Sequence, residues 1–323
     1  MSLTQQLFLQ SLRELDGVSQ NVFDKHRGPL IASLIDHAWR EVPAYRARLA
    51  PFVVDGNFDL SRWVEIPLLR CNDLNALGPA FVARSVPPPD MVENIDLASQ
   101  VPVARRSQLS RIATECERER FYETLGIELT AQLAILHPEQ ETSGRGRGWS
   151  ITFTGNNWSA GSVAASPSDQ LDWLTITEIH QLRTNSVLAD GLAKVALERA
   201  SKVSLDAVII ADDLIPIGLA AKIERAFCAR IIHFVERPML GVLAACCGSN
   251  DYAVPSGTNI VEVVDQVGLP VRPGEIGELV VSPLYEFATP LLRFATEINA
   301  VMPDDAGTIL GVRRLCGING LCT

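Results

Sequence analysis

Apolar residues recur at helical spacing in two stretches near the N-terminus. Thr4 to Leu15 is the first; Pro29 to Leu49 is the second, with Leu30, Leu34, Ile35, Ala38 and Val42 along one face. Ser107 to Leu125 is a charged helical stretch that stops at Gly126, a residue suited to closing a helix. Thr130 to His137 is an apolar run of strand length. Leu205 to Ala229 reads as strand then helix, DAVIIA followed by IGLAAKIERAFCARI. Asn259 to Ile298 has another rhythm. Alternating apolar residues turn at Gly268 and again at Pro273-Gly274, re-enter a strand from Glu278 to Val281, and end on Pro290-Leu-Leu-Arg-Phe. That pattern predicts a small antiparallel β unit.

Length and composition narrow the partners. At 323 residues the chain exceeds what one core holds comfortably, so one large domain with two or three lobes, or two domains, is expected. A 47% hydrophobic content and a net charge of −10 describe an ordinary, mildly acidic protein. No basic stripe exists to neutralise a nucleic-acid backbone. A single nucleotide is compatible with this charge, because backbone N–H groups and one metal ion can hold its phosphates. The longest apolar runs are too short to span a bilayer, and the N-terminus has neither the basic nor the apolar region of a signal peptide. The cytoplasm is therefore the expected compartment. Seven cysteines without CxxC spacing read as core residues, giving neither a metal site nor a disulfide framework.

Candidate chemistry is sparse on residue type alone. Ser143 to Gly148 (SGRGRG) is glycine-rich and cationic, yet it follows a helix rather than preceding one, and reads as a surface loop. His180 reads as structural. Asp212 and Asp213 sit at the end of a strand in a parallel sheet, where open α/β folds bind ligands; a helix N-cap explains them equally well. No GxGxxG follows any strand, which disfavours a dinucleotide site.

Several strings together resemble the adenylate-forming (ANL) superfamily, nearest its phenylacetate-CoA ligase branch. VPAYRARL after Val42 and EIPLLRCNDL after Trp63 match its opening helices. EVVD with Gly268-Leu-Pro-Val, then GEIGELVV, then PLLRF match its β lobe. The fold implied is α/β: an ANL-type N-terminal domain with layered αβ lobes over residues 1–250 and a C-terminal β lobe over 251–323. That lobe ends at a hinge-like segment, ILGVRRLCGING, with the family's C-terminal domain absent. The activity implied is formation of an acyl-AMP from ATP, with Mg²⁺, and a carboxylic acid. An aromatic acid suits the branch. A similar ANL-type arrangement without its C-terminal domain occurs in phenazine antibiotic biosynthesis, and a reductase or transferase would then use the adenylate.

The resemblance also assigns residues. Thr184, Asn185 and Ser186 stand at the family's T-x-P-S, beside the acyl group, with Asn185 replacing proline. Ala211, Asp212 and Asp213 stand where adenine is contacted. Val235 to Met239 occupy the family's Y-G-x-T-E; Met239 replaces the metal-holding glutamate and borders the acyl pocket, while Glu236 is a substitute from a shifted register. Arg293 and Thr296 are the implied catalytic pair, and Glu297 replaces the ribose-gripping aspartate, with Ile298 beyond it. No protein ligand for a metal is implied at these positions. No glycine lies between Gly78 and Gly126, where a phosphate loop is expected. Either the loop is lost, leaving a binding or regulatory relative, or a glycine-rich segment belongs between Gln100 and Val101.

Overall fold

The structure, a computed structural model, describes residues 2–85, 91–94, 104–136, 158–212, 215–237, 240–248, 251–303 and 314–318. They gather into two compact units. One comprises 118–236 with 244–250; the other comprises 2–117, 237–243 and 251–323.

The first unit is a parallel α/β arrangement. Strand Leu133–Leu136 lies between Trp158–Ala160 and Gln181–Thr184, followed outward by Ala207–Ala211 and Arg230–Arg237. Parallel neighbours need crossover connections, and helices Ser186–Glu198 and Leu219–Phe227 supply two of them. Both faces of such a sheet are covered, so its strands read as unbroken apolar runs rather than alternating ones. Ala207–Ala211 is buried at every position. One apolar cluster joins Leu171 and Leu174 of helix Pro167–Ile176, Leu192 and Ala196 of the next helix, and Ile223 and Phe227 of the third to Leu182 and Val208 of the strands. Helix starts are locally encoded. Ser166 Oγ accepts from Asp169 N–H at 3.1 Å with Pro167 at the first helical position, and Asn185 Oδ1 accepts from Leu188 N–H at 2.9 Å.

The second unit combines N-terminal helices with an antiparallel sheet. Its strands run in the order Asn259–Val264, Ile276–Pro283, Phe294–Val301, Arg314–Ile318 and Asp251–Ala253. The expected turns are present. Gly268 takes φ +86° and Gly274 φ +80°, conformations that side chains with a Cβ resist. Gly277 meets a different demand: a Cβ there would come within 2.5 Å of the Val264 carbonyl oxygen across the ladder.

Helix boundaries depart from the pattern in one informative place. The expected helix from Pro29 to Leu49 is two helices, Gln20–Glu41 and Pro43–Leu49. Pro43 forces Val42 into extended backbone, φ −108° and ψ 109°, and then opens the next helix at a position where a missing N–H costs nothing. The break aims Tyr45 inward. Its buried hydroxyl donates to the Pro290 carbonyl at 2.8 Å and accepts from Leu292 N–H at 2.9 Å, which clamps the PLLRF segment. Burial raises the Tyr45 pKa well above that of a free phenol, so the donor is retained. Among the described residues no helix is long and apolar enough to cross a membrane.

Candidate functional site

The predicted residues fall into two groups with opposite character. Within the parallel unit, Thr184, Asn185, Ser186, Ala211 and Asp212 come together where strands Gln181–Thr184 and Ala207–Ala211 end and the following helix begins. Both strands point their C-terminal ends to this edge because they are parallel. Asp212 is the organiser. Its Oδ2 accepts from Ser186 N–H at 3.1 Å and from Ser186 Oγ at 2.7 Å, tying the two strand ends together. Its backbone carbonyl meets His233 Nε2 at 3.0 Å. Burial pushes the His233 pKa below its ordinary 6.5, so this imidazole is neutral and donates. Thr184 is fully buried, and its Oγ1 has no hydrogen-bond partner among the described residues. An orphaned hydroxyl at a strand edge is a point where a ligand can complete the bonding. Asp213 and Met239 lie outside the described residues, as do the Ser143–Gly148 segment and the Gln100–Val101 junction.

Glu236 belongs to this unit but is heavily engaged. Its Oε2 accepts from Arg183 Nη2 at 2.8 Å, and its Oε1 lies 3.4 Å from Arg118 Nε. Arg183 also donates to Tyr122 Oη at 3.3 Å. Burial raises the Tyr122 pKa, opposed by the two arginines. A carboxylate already facing two guanidinium groups is a poor metal ligand. Among the described residues no group of three or more His, Cys, Asp or Glu could hold a metal ion. Among the described residues there is thus no protein cage for Mg²⁺.

The second group lies in the antiparallel unit. Arg293 is 1% exposed, and its guanidinium is enclosed on all sides. Nε donates to both Glu262 oxygens at 3.2 Å, Nη1 to the carbonyls of Val64 at 2.5 Å and Ile66 at 2.7 Å, and Nη2 to the Gly268 carbonyl at 2.7 Å. Trp63 Nε1 donates to Glu262 Oε2 at 3.0 Å. Burial pushes the Glu262 carboxyl pKa up, and Arg293 and Trp63 oppose that rise. Thr296 Oγ1 is spent on the Leu279 carbonyl at 2.7 Å. Glu297 is exposed at φ +62°, its N–H bonded to Glu278 Oε1 at 3.1 Å. Arg293 and Thr296 thus bind the fold's own carbonyls. Sequence reading missed Glu262, although a glutamate inside NIVEVV, an otherwise apolar strand, signals a buried cation nearby. It also missed Arg118, Arg183 and His233, which carry no local signal.

No protein-family model matches the chain, and no curated protein sequence matches it. Solved structures do. A 2-hydroxyisobutyryl-CoA ligase in an open conformation, in complex with 2-HIB-AMP and CoA, superposes with a TM-score of 0.72 at 15% identity, covering 90% of this chain and 73% of that one. The same ligase in its thioesterification state gives 0.73 at 16% identity, over 94% and 69%. A Brucella canis acyl-CoA synthetase gives 0.53 at 15% identity, over 70% of this chain and 44% of that chain. At these identities the likeness speaks for architecture, and the architecture agrees with the order of motifs along the chain. The protein shares the mixed α/β fold of these solved CoA-ligase structures.

Proposed function

We propose that the protein activates a carboxylic acid with ATP: a carboxylate oxygen attacks the α-phosphorus, the bond to the β,γ-phosphates breaks, and pyrophosphate leaves acyl-AMP behind. The observation that carries this reading is the convergence of Thr184, Asn185, Ser186, Ala211 and Asp212 at one strand edge, with a buried, unpartnered Thr184 hydroxyl among them. The solved ligases of the same fold support it, since they hold 2-HIB-AMP. In this reading the Ala211–Asp212 edge meets the nucleotide base and the Thr184–Ser186 turn meets the acyl group. Asp212 holds the Ser186 turn in place, so positioning is its contribution. Arg293 and Thr296 act at a distance, by fixing the β unit. The acid is aromatic in the finer form of the proposal, the setting cytoplasmic and secondary-metabolite biosynthesis such as that of phenazines. A reductase or transferase would consume the adenylate before water does.

One observation favours a second reading, a silent relative that binds without turnover. Glu236 is committed to Arg183 and Arg118 rather than open to a cation. Exchange of labelled pyrophosphate into ATP, screened over aromatic and short-chain acids, separates the two readings. Acid-dependent exchange that is lost in Asp212→Ala supports adenylation; ATP binding with no exchange for any acid supports the silent relative.

A further inference from the structure

The polar edge of the parallel unit extends one strand beyond the residues that motif spacing assigns to it. Thr184 pairs with Ile210 and Ile210 with His233, so His233 stands in the same row across three strands. Paired residues present their side chains to one face, and Ile210 packs there against the helix-covered cluster. His233 is 2% exposed on that face, and its Nε2 meets the Asp212 carbonyl at 3.0 Å. A carbonyl only accepts, so Nε2 carries the proton. The Asp212 N–H is held from the same strand, donating to the Phe234 carbonyl at 3.1 Å. Both polar groups of the Asp212 backbone are thus fixed by Arg230–Arg237, one residue past the end of Ala207–Ala211. That strand is itself anchored on its other face, where Phe234 lies edge-on to Tyr122 at 5.5 Å and to Phe121 at 6.1 Å between ring centroids.

We propose that His233 is a positioning residue for the nucleotide, a role that rests on the adenylation reading above: it holds the Asp212 peptide so that the Ala211–Asp212 backbone meets the base while the Asp212 carboxylate stays on Ser186. Without the imidazole the Asp212 carbonyl loses this donor, and the peptide beside the base is free to rotate. The acyl side is secured independently, because Asn185 Oδ1 accepts from Leu188 N–H at 2.9 Å and caps the helix that begins at Ser186. Loss of His233 therefore acts on ATP before it acts on the acid. A core histidine that only fills space would have no such bias.

Pyrophosphate exchange is measured in wild type, His233→Leu and His233→Gln, with ATP and acid varied separately and each melting temperature recorded. His233→Leu is expected to raise KM for ATP about tenfold and to leave KM for the acid within about twofold. His233→Gln, whose amide N–H reaches the same carbonyl, is expected to recover most of the loss. Unchanged KM values, an equal rise in both, or a glutamine no better than leucine overturns the role while wild-type exchange keeps the adenylation reading standing. If the wild type binds ATP without exchange, adenylation fails instead, and the same comparison is made on the ATP Kd with the same outcomes. No ATP binding overturns both. Should His233→Leu not fold, ¹⁵N-histidine-labelled wild type serves: the His233 Nε2 resonance, assigned by its loss in His233→Gln, is expected to shift on adding ATP, and an unmoved resonance overturns the role.

Discussion

The strand edge around Asp212 and the cage around Arg293 contain similar residue types and resolve them in opposite ways. In the cage, an arginine and a glutamate are buried together and their donors and acceptors are met by each other, by Trp63 and by three backbone carbonyls. At the edge, a threonine hydroxyl is buried with no hydrogen-bond partner among the described residues, and an aspartate ties two strand ends together through Ser186 while its carbonyl meets His233. A satisfied buried ion pair specifies structure, whereas an unsatisfied polar group at the mouth of parallel strands marks a place for a ligand. Motif spacing cannot distinguish the two, because both kinds of residue recur at fixed positions.

Substituting the cage should have the largest effect. Arg293→Ala leaves Glu262 buried without its cation and is expected to cost about 3–5 kcal/mol, read as a large drop in denaturation midpoint. A loss below about 1 kcal/mol would break the contrast. Thr184→Val is the mirror test. Replacing an unpartnered buried hydroxyl by a methyl group should leave stability unchanged or raise it by about 1–2 kcal/mol, while weakening ligand binding. A clear loss of stability would mean that the hydroxyl already has a partner.

The edge should also respond to acid through His233. Its folded pKa lies below its unfolded value, so the unfolded chain binds the extra proton first. The stability it contributes is complete above about pH 6.5 and is lost as pH falls through the folded pKa. Denaturation midpoints measured from pH 7.5 to 5 should fall, and His233→Gln should flatten the slope by about one proton. The smallest effect is expected at Arg70, whose ion pair with Glu278 is 3.1 Å long but 46% exposed on the arginine side. Arg70→Ala should cost less than about 1 kcal/mol, and less still in high salt.

The fold was legible where local chemistry decides it. Gly268 and Gly274 mark turns, and the apolar run at 207–211 marks a strand. The helix break at Pro43 was written in the sequence as well, but the surrounding apolar periodicity outweighed it in the pattern. The site was legible only in part. Ser186 and Asp212 meet across 26 residues, and Arg183 and Glu236 across 53, through register between parallel strands. No periodicity reports such distances. Arg293 was recognisable as special, yet whether it faces a phosphate or a carbonyl depends on Val64, Ile66 and Gly268, which arrive from other elements.

The most direct measurement is calorimetric titration of the folded protein with a non-hydrolysable acyl-adenylate analogue, comparing wild type, Asp212→Ala and Arg293→Lys below each variant's melting temperature. Binding in the wild type, its loss in Asp212→Ala and its retention in Arg293→Lys are the expected results. Retention in Asp212→Ala with loss in folded Arg293→Lys would contradict the account, placing the ligand at the cage and the structural role at the edge.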